Sequence, residues 1–202
     1  MNTRIALITC TMLVGAFLHA QPADAVGRAK VRGAHANASG GVSSGSASVA
    51  RGPNGGAAAR GRAWTTDGQG NAAGGSAAAV RGPKGGAAYR QGSTQVHADG
   101  SAYHQSGSQG YSAAGGSYAT SGSSQRNADG TRSGARSTTA YGANGGSYAG
   151  STSGASGQGV THNSHATGAN GNTYAGTTTV VQDGVSHSGT CHDAYGNVIN
   201  CR

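Results

Sequence analysis

From residue 85 onward the chain keeps time. Glycines stand at positions 85, 100, 115, 130 and 145, fifteen residues apart. Read from the residue before each glycine, the units are KGGAAYRQGSTQVHA, DGSAYHQSGSQGYSA, AGGSYATSGSSQRNA and DGTRSGARSTTAYGA. Shorter units follow, NGGSYAGSTSGAS, GQGVTHNSHATGA, NGNTYAGTTTVVQ and DGVSHSGTCHDA, before a final YGNVINCR. Upstream, NGGAAARGRAWTT and DGQGNAAGGSAAAVRGP fit more loosely, so about ten units run from Asn54 to the end. A fixed period of this kind marks an array in which each unit buries surface only against its neighbours. The recurrent Asn-Gly and Asp-Gly pairs favour tight turns that need a positive φ. A second small-residue break follows about seven residues later, at Gly92, Gly107 and Gly122. Each unit therefore reads as turn, short strand, turn, short strand, with strands of ~5 residues.

An array is also what the composition permits. From Val26 to Arg202 there are eleven Val, one Ile and no Leu, Phe or Met, so no conventional core can form. Glu is absent, and Gly, Ser, Thr and Asn at this density exclude helix. The expected fold is an all-β repeat protein of 13–15-residue units, with a largely disordered Gly/Ser/Ala-rich chain as the alternative. Two architectures fit. In a narrow β-solenoid each unit is a coil, and equivalent side chains stack at ~4.8 Å; in an antiparallel β-meander each unit is a hairpin, and they lie ~9.6 Å apart. Tyr103, Tyr118, Tyr148 and Tyr174 occupy the fifth position of their units and form the expected ladder. Gln95 and Gln125 share position twelve, a partial polar ladder.

Four segments follow. Residues 1–25 have the pattern of a secretory signal peptide: a basic MNTR, an apolar run of 14 too short to span a bilayer (~20 residues), and cleavage sites after Ala25 or Ala20. Residues 26–53 show no turn register and read as a flexible, disordered basic arm. Residues 54–182 hold the repeats. Residues 183–202 contain Cys191 and Cys201, symmetric about Gly196, which suit a disulfide across a hairpin with the loop Tyr195-Gly196-Asn197. This segment is expected to cap the repeat stack. The expected location is secreted, periplasmic or at the cell surface, with no integral membrane span after cleavage.

Charge is uneven. Residues 26–136 carry twelve Lys or Arg against three Asp, a net +9, and residues 137–202 are at −1. Arg28, Lys30, Arg32, Arg51, Arg60, Arg62, Arg81, Lys84 and Arg90 are the candidate polyanion-binding residues, with Arg126, Arg132 and Arg136 further on. Arg forks suit phosphate and carboxylate, and Trp64, Tyr89 and Tyr103 are interleaved as in single-strand nucleic-acid binders. The same charge would also keep a Gly-rich polymer soluble.

Other chemistries find less footing. His162, His165, His187, Cys191 and His192 could be drawn as a metal site, but no CxxC pair accompanies them and the cysteines suit a disulfide. No catalytic residues, metal site or cofactor are expected. Asp falls in turns without a paired acid, no GxSxG elbow occurs, and GQGNAAGG lacks the Lys and helix of a phosphate loop. Thr177 and Thr179 suggest an alternating Thr face, but it does not recur in the other units.

In periodicity, composition and export signal the chain is similar in kind to secreted repeat proteins that build fibres or coats, such as curlin-type functional amyloids. The curlin repeat keeps spaced Gln and Asn in every unit, which only Gln95, Gln125 and a shifted Gln109 echo. The expected function is an exported, non-enzymatic structural or surface-associated protein that assembles with itself or adheres. The alternative is a binding module for anionic envelope or matrix polymers: lipopolysaccharide, acidic polysaccharide or extracellular DNA.

Overall fold

The structure, a computed structural model, describes residues 26–201; the signal-peptide expectation and both cleavage sites lie outside the described residues. The chain forms one sheet of thirteen antiparallel strands in sequence order. They are β1 (Gly27–Ala36), β2 (Val42–Arg51), β3 (Ala57–Thr66), β4 (Ala72–Arg81), β5 (Ala87–Val96), β6 (Ala102–Tyr111), β7 (Ser117–Arg126), β8 (Arg132–Tyr141), β9 (Ser147–Ala155), β10 (Gly159–Thr167), β11 (Thr173–Val181), β12 (Gly184–His192) and β13 (Val198–Ile199). The all-β repeat expectation holds, in its meander form.

The period has a single physical cause. Ten of the twelve connections are five residues long, and the fourth residue of each is a glycine: 40, 55, 70, 85, 100, 115, 130, 145, 171 and 196, all with φ between 78° and 98°. No non-glycine residue among the described ones has a positive φ. In each loop the first N–H donates to the fifth carbonyl, as from Asn127 to Thr131 at 2.9 Å. In nine of them the glycine N–H also donates back to the first carbonyl. Ten strand residues and five loop residues make fifteen.

Two expectations change. The small residues at 92, 107 and 122 are not turns: Gly92 pairs with Ser76 and Ser106 in mid-strand, so strands are ten residues rather than five. Each unit is thus one strand, and a hairpin takes two units. Residues 27–51, read as a flexible arm, form β1 and β2 in full register. Their loop, Asn37–Gly41, carries the left-handed residue at Gly40 without an Asn-Gly pair to announce it.

There is no second layer. Among the described residues only Gly41, Ala59, Ala77, Ala79 and Ser93 are buried, and Val49 and Tyr89 pack beside the three alanines. Cohesion comes from the strand ladder and from cross-strand side-chain pairs, each contributing roughly 0.2–1 kcal/mol. At the C-terminal end Cys191 and Cys201 form the expected disulfide, with Cα atoms 5.4 Å apart. The loop is Asp193–Asn197, centred on Tyr195 rather than Gly196. Cys191 therefore faces Ile199 and the bridge runs diagonally.

Candidate functional site: a cationic, aromatic sheet face

Strand residues that face one another across a ladder share a face of the sheet, and alternate residues along a strand change face. From β1 to β11 every cross-strand pair joins residue numbers of equal parity, as in Lys30↔Ser48, Ser48↔Arg60, Ala78↔Arg90 and Tyr118↔Ala140. Even-numbered residues of these strands thus make one face and odd-numbered residues the other.

This sorting separates the charges. Arg28, Lys30, Arg32, Arg60, Arg62, Arg90, Arg126, Arg132 and Arg136 all lie on the even face. Arg51 and Arg81 lie on the other face, in one row with Ala57 between them. Lys84 is in the loop 82–86. The candidate polyanion-binding residues therefore do not all converge. Six of the nine do, and Arg126, Arg132 and Arg136 join them.

Among the described residues no Asp stands on either face. Asp67, Asp99, Asp129, Asp183 and Asp193 are all in connections. Four of them tie their own turns. The Asn71 side chain donates to Asp67 at 2.5 Å, and the Ser101 and Thr131 backbone N–H groups donate to Asp99 and Asp129 at 2.8 and 2.9 Å. The Asn197 side chain donates to Asp193 at 2.9 Å. These bonds hold the four carboxyl groups below their ordinary pKa, led by the side chains of Asn71, Ser101, Thr131 and Asn197 respectively. The cationic face keeps its charge uncompensated. The Lys30 ammonium is accordingly pushed below its usual pKa, first by Arg32, then by desolvation and by Arg28, Arg60 and Arg62.

Three of the arginines are steered by small hydroxyls across the ladder. Arg60 Nε donates to Ser48 Oγ at 3.1 Å and Arg62 Nε to Ser46 Oγ at 3.3 Å. Arg136 reaches over β7 to donate to Thr120 Oγ1 and Ser106 Oγ, at 3.1 and 2.9 Å. It crosses Gly122, where a Cβ would come within 3.1 Å of the Arg136 Cβ and closer still to the Ala135 carbonyl.

The same face carries rings that lie down on the sheet. A Cβ on Gly74 would fall inside the Trp64 indole, its neighbour across the ladder. One on Gly150 would strike the Tyr148 ring, and Cβ atoms on Gly176 or Gly189 would strike the Tyr174 ring. Tyr118 has Thr120 two residues on in place of glycine and leans across to Gly110 instead. Three histidines bond to the threonine opposite through Nδ1: His104 to Thr94 at 2.8 Å, His162 to Thr152 at 2.7 Å and His187 to Thr178 at 2.8 Å. His165 pairs with Ala175 on the opposite face, so the drawn His set does not converge.

The tyrosine ladder also sorts. Tyr118, Tyr148 and Tyr174 share one row at two-strand intervals, linked through Ala140 and Ala166. Tyr103 is on the other face, between Gln95 and Gln125. Fifteen is an odd number and successive strands run antiparallel, so a shift of one unit changes both the face and the side of the sheet at which the residue sits; only a shift of two units restores them.

The odd face carries only Arg51 and Arg81 as fixed charges and is made mostly of Ala, Ser, Gly, Thr, Gln and Tyr. A hollow of about 1490 Å³ reaches from β1 to β9, with Ser43, Ala77, Ser93, Gln105 and Ser123 among its walls. No group of three or more His, Cys, Asp or Glu able to hold a metal occurs among the described residues. Comparison of the chain with protein-family models, curated proteins and solved structures finds no match.

Proposed function

We propose that this is an exported, non-enzymatic surface-associated protein that holds anionic polymers on the even face of its sheet. The observation that carries this reading is the segregation of nine cations to one face with every described Asp in a connection. Charge needed only for solubility would have no reason to choose a side. A polyanion laid on this face relieves repulsion already present there, and it meets guanidinium groups held in place by Ser48, Ser46 and Thr120. The disulfide is compatible with an oxidising extracellular or periplasmic setting. Titrating the oxidised protein with sulfated dextran and with neutral dextran tests the reading. The expected result is binding of the sulfated polymer alone, with log affinity falling linearly against log salt. Equal binding of both polymers, or none at low salt, would overturn it.

Assembly with itself is a second reading, favoured by the sheet edges. β1 is exposed along its length, and β13 covers only Cys191 and His192 of β12. A second copy's β1 could continue the antiparallel order on β12, although Arg28, Lys30 and Arg32 along that edge oppose tight pairing. Sedimentation at rising concentration, with no species above monomer, would sink it.

A further inference from the structure

One row of the cationic face runs from β1 to β12. Its ladder partners are Lys30, Ser48, Arg60, Ala78, Arg90, Ser108, Thr120, Thr138, Gly150, Ser164, Gly176 and Gly189. The even-numbered strands contribute only small residues to it. The odd-numbered strands contribute, in order, Lys30, Arg60, Arg90, Thr120, and then two glycines covered by the Tyr148 and Tyr174 rings. Two strand spacings separate each feature from the next, ~9.6 Å. The cation track and the ring track are therefore one track with one repeat.

From this we infer that the polymer held on this face is an acidic polysaccharide carrying one anionic group per two sugars, lying across the strands along this row. The inference rests on the polyanion reading and narrows it. The repeat of the track is about two pyranose rings end to end. An extended glycan of this kind offers a carboxylate or sulfate to Lys30, Arg60 and Arg90 in turn. Further along, where the charge ends, it offers the flat apolar face of a sugar to rings that already lie over the strand glycines. Tyr148 and Tyr174 reach over Gly150 and Gly176 because the absent Cβ leaves the room, and Tyr148 remains 36 % exposed. The Tyr174 hydroxyl is 3.3 Å from His187 Nε2, which places hydrogen-bonding groups beside that ring for sugar hydroxyls. Single-stranded nucleic acid also pairs charge with stacking, but it carries a phosphate and a base at every residue, which this track would meet in alternation with bare Ser, Ala and Gly.

The test uses a hyaluronan oligosaccharide long enough to cross from β1 to β11, with single-stranded DNA as comparator. In the wild-type protein, hyaluronan should shift the ring-proton resonances of Tyr148 and Tyr174 and leave Tyr103, on the opposite face, in place. The Tyr148→Ala/Tyr174→Ala variant should bind hyaluronan at least about tenfold more weakly, taking the loss of two stacked rings as guide. Its DNA affinity and the salt slope of both ligands should not change, and Tyr148→Phe/Tyr174→Phe should restore most of the binding, short of the Tyr174 hydroxyl's share. Equal weakening toward DNA would assign the track to nucleic acid and overturn the inference. Steep salt-dependent binding of both polymers with no effect of the tyrosines and no ring shifts would overturn it too, while leaving the polyanion reading intact. No binding to either polymer would end both.

Discussion

At the scale of the residue, the glycines divide into kinds that the letter alone does not distinguish. Gly100 holds φ at 83°, which an L side chain enters at a cost of roughly 1–2 kcal/mol. Gly33 has no positive φ, and nothing lies within 4 Å of where its Cβ would be. Gly100→Ala should therefore lower the stability of the oxidised protein by about that cost, whereas Gly33→Ala should raise it by roughly 0.5–1 kcal/mol by stiffening a strand interior. Thermal melting of the two variants gives the opposite signs directly. The turn aspartates add a pH dependence of definite sign. Their folded pKa lies below the unfolded value of 3.8, so the ionised form favours the fold. The contribution is full above 3.8 and is lost as pH falls through the lower folded values. Melting temperature should fall on acidification from about pH 5 to about pH 2. It should fall less when Asp67, Asp99, Asp129 and Asp193 are all replaced by Asn, which keeps the Oδ1 acceptor without the titration.

At the scale of the element, the turns were legible and the strands were not. A glycine every fifteen residues is a demand for left-handed backbone, and all five of the clock glycines meet it. The same eye for small residues misread Gly92, Gly107 and Gly122, because a mid-strand glycine and a turn glycine differ in φ and not in spelling. Gly122 is there to let Arg136 pass, a reason that exists only once β8 lies beside β7. The basic stretch 26–53 hid two strands because its loop, NASGG, replaces the Asn-Gly signal with Ser39-Gly40. The end element was read from its cysteines, and its limits are local. Only two residues of β13 pair with β12, so reduction of Cys191–Cys201 should release β13 and expose that stretch of the β12 edge. The bridge stabilises that hairpin by on the order of 2–4 kcal/mol. Hydrogen exchange after reduction should show lost protection at Cys191, whose N–H lies on the β13 side, and unchanged protection from β2 to β10, since each strand depends on its neighbours alone. Loss of protection throughout the sheet would mean that the staple carries the whole array.

At the scale of the molecule, the property that matters is parity. An odd period in an antiparallel sheet sends equivalent residues of successive units to opposite faces, so the functional repeat is the thirty-residue hairpin. Lys30, Arg60 and Arg90 follow it on one face, and Arg51 and Arg81 follow it on the other. Net charge along the sequence was visible from the start; which side it faced required the register. The most direct measurement compares two triple variants that remove the same charge. Lys30→Ser/Arg60→Ser/Arg90→Ser empties the even-face row, and Arg51→Ser/Arg81→Ser/Lys84→Ser removes three cations from the odd face and a loop. With sulfated dextran at fixed salt, the first should weaken binding and flatten the salt slope, and the second should leave both near wild type. Equal losses from the two would show that only net charge matters and would contradict a face built to hold a polyanion.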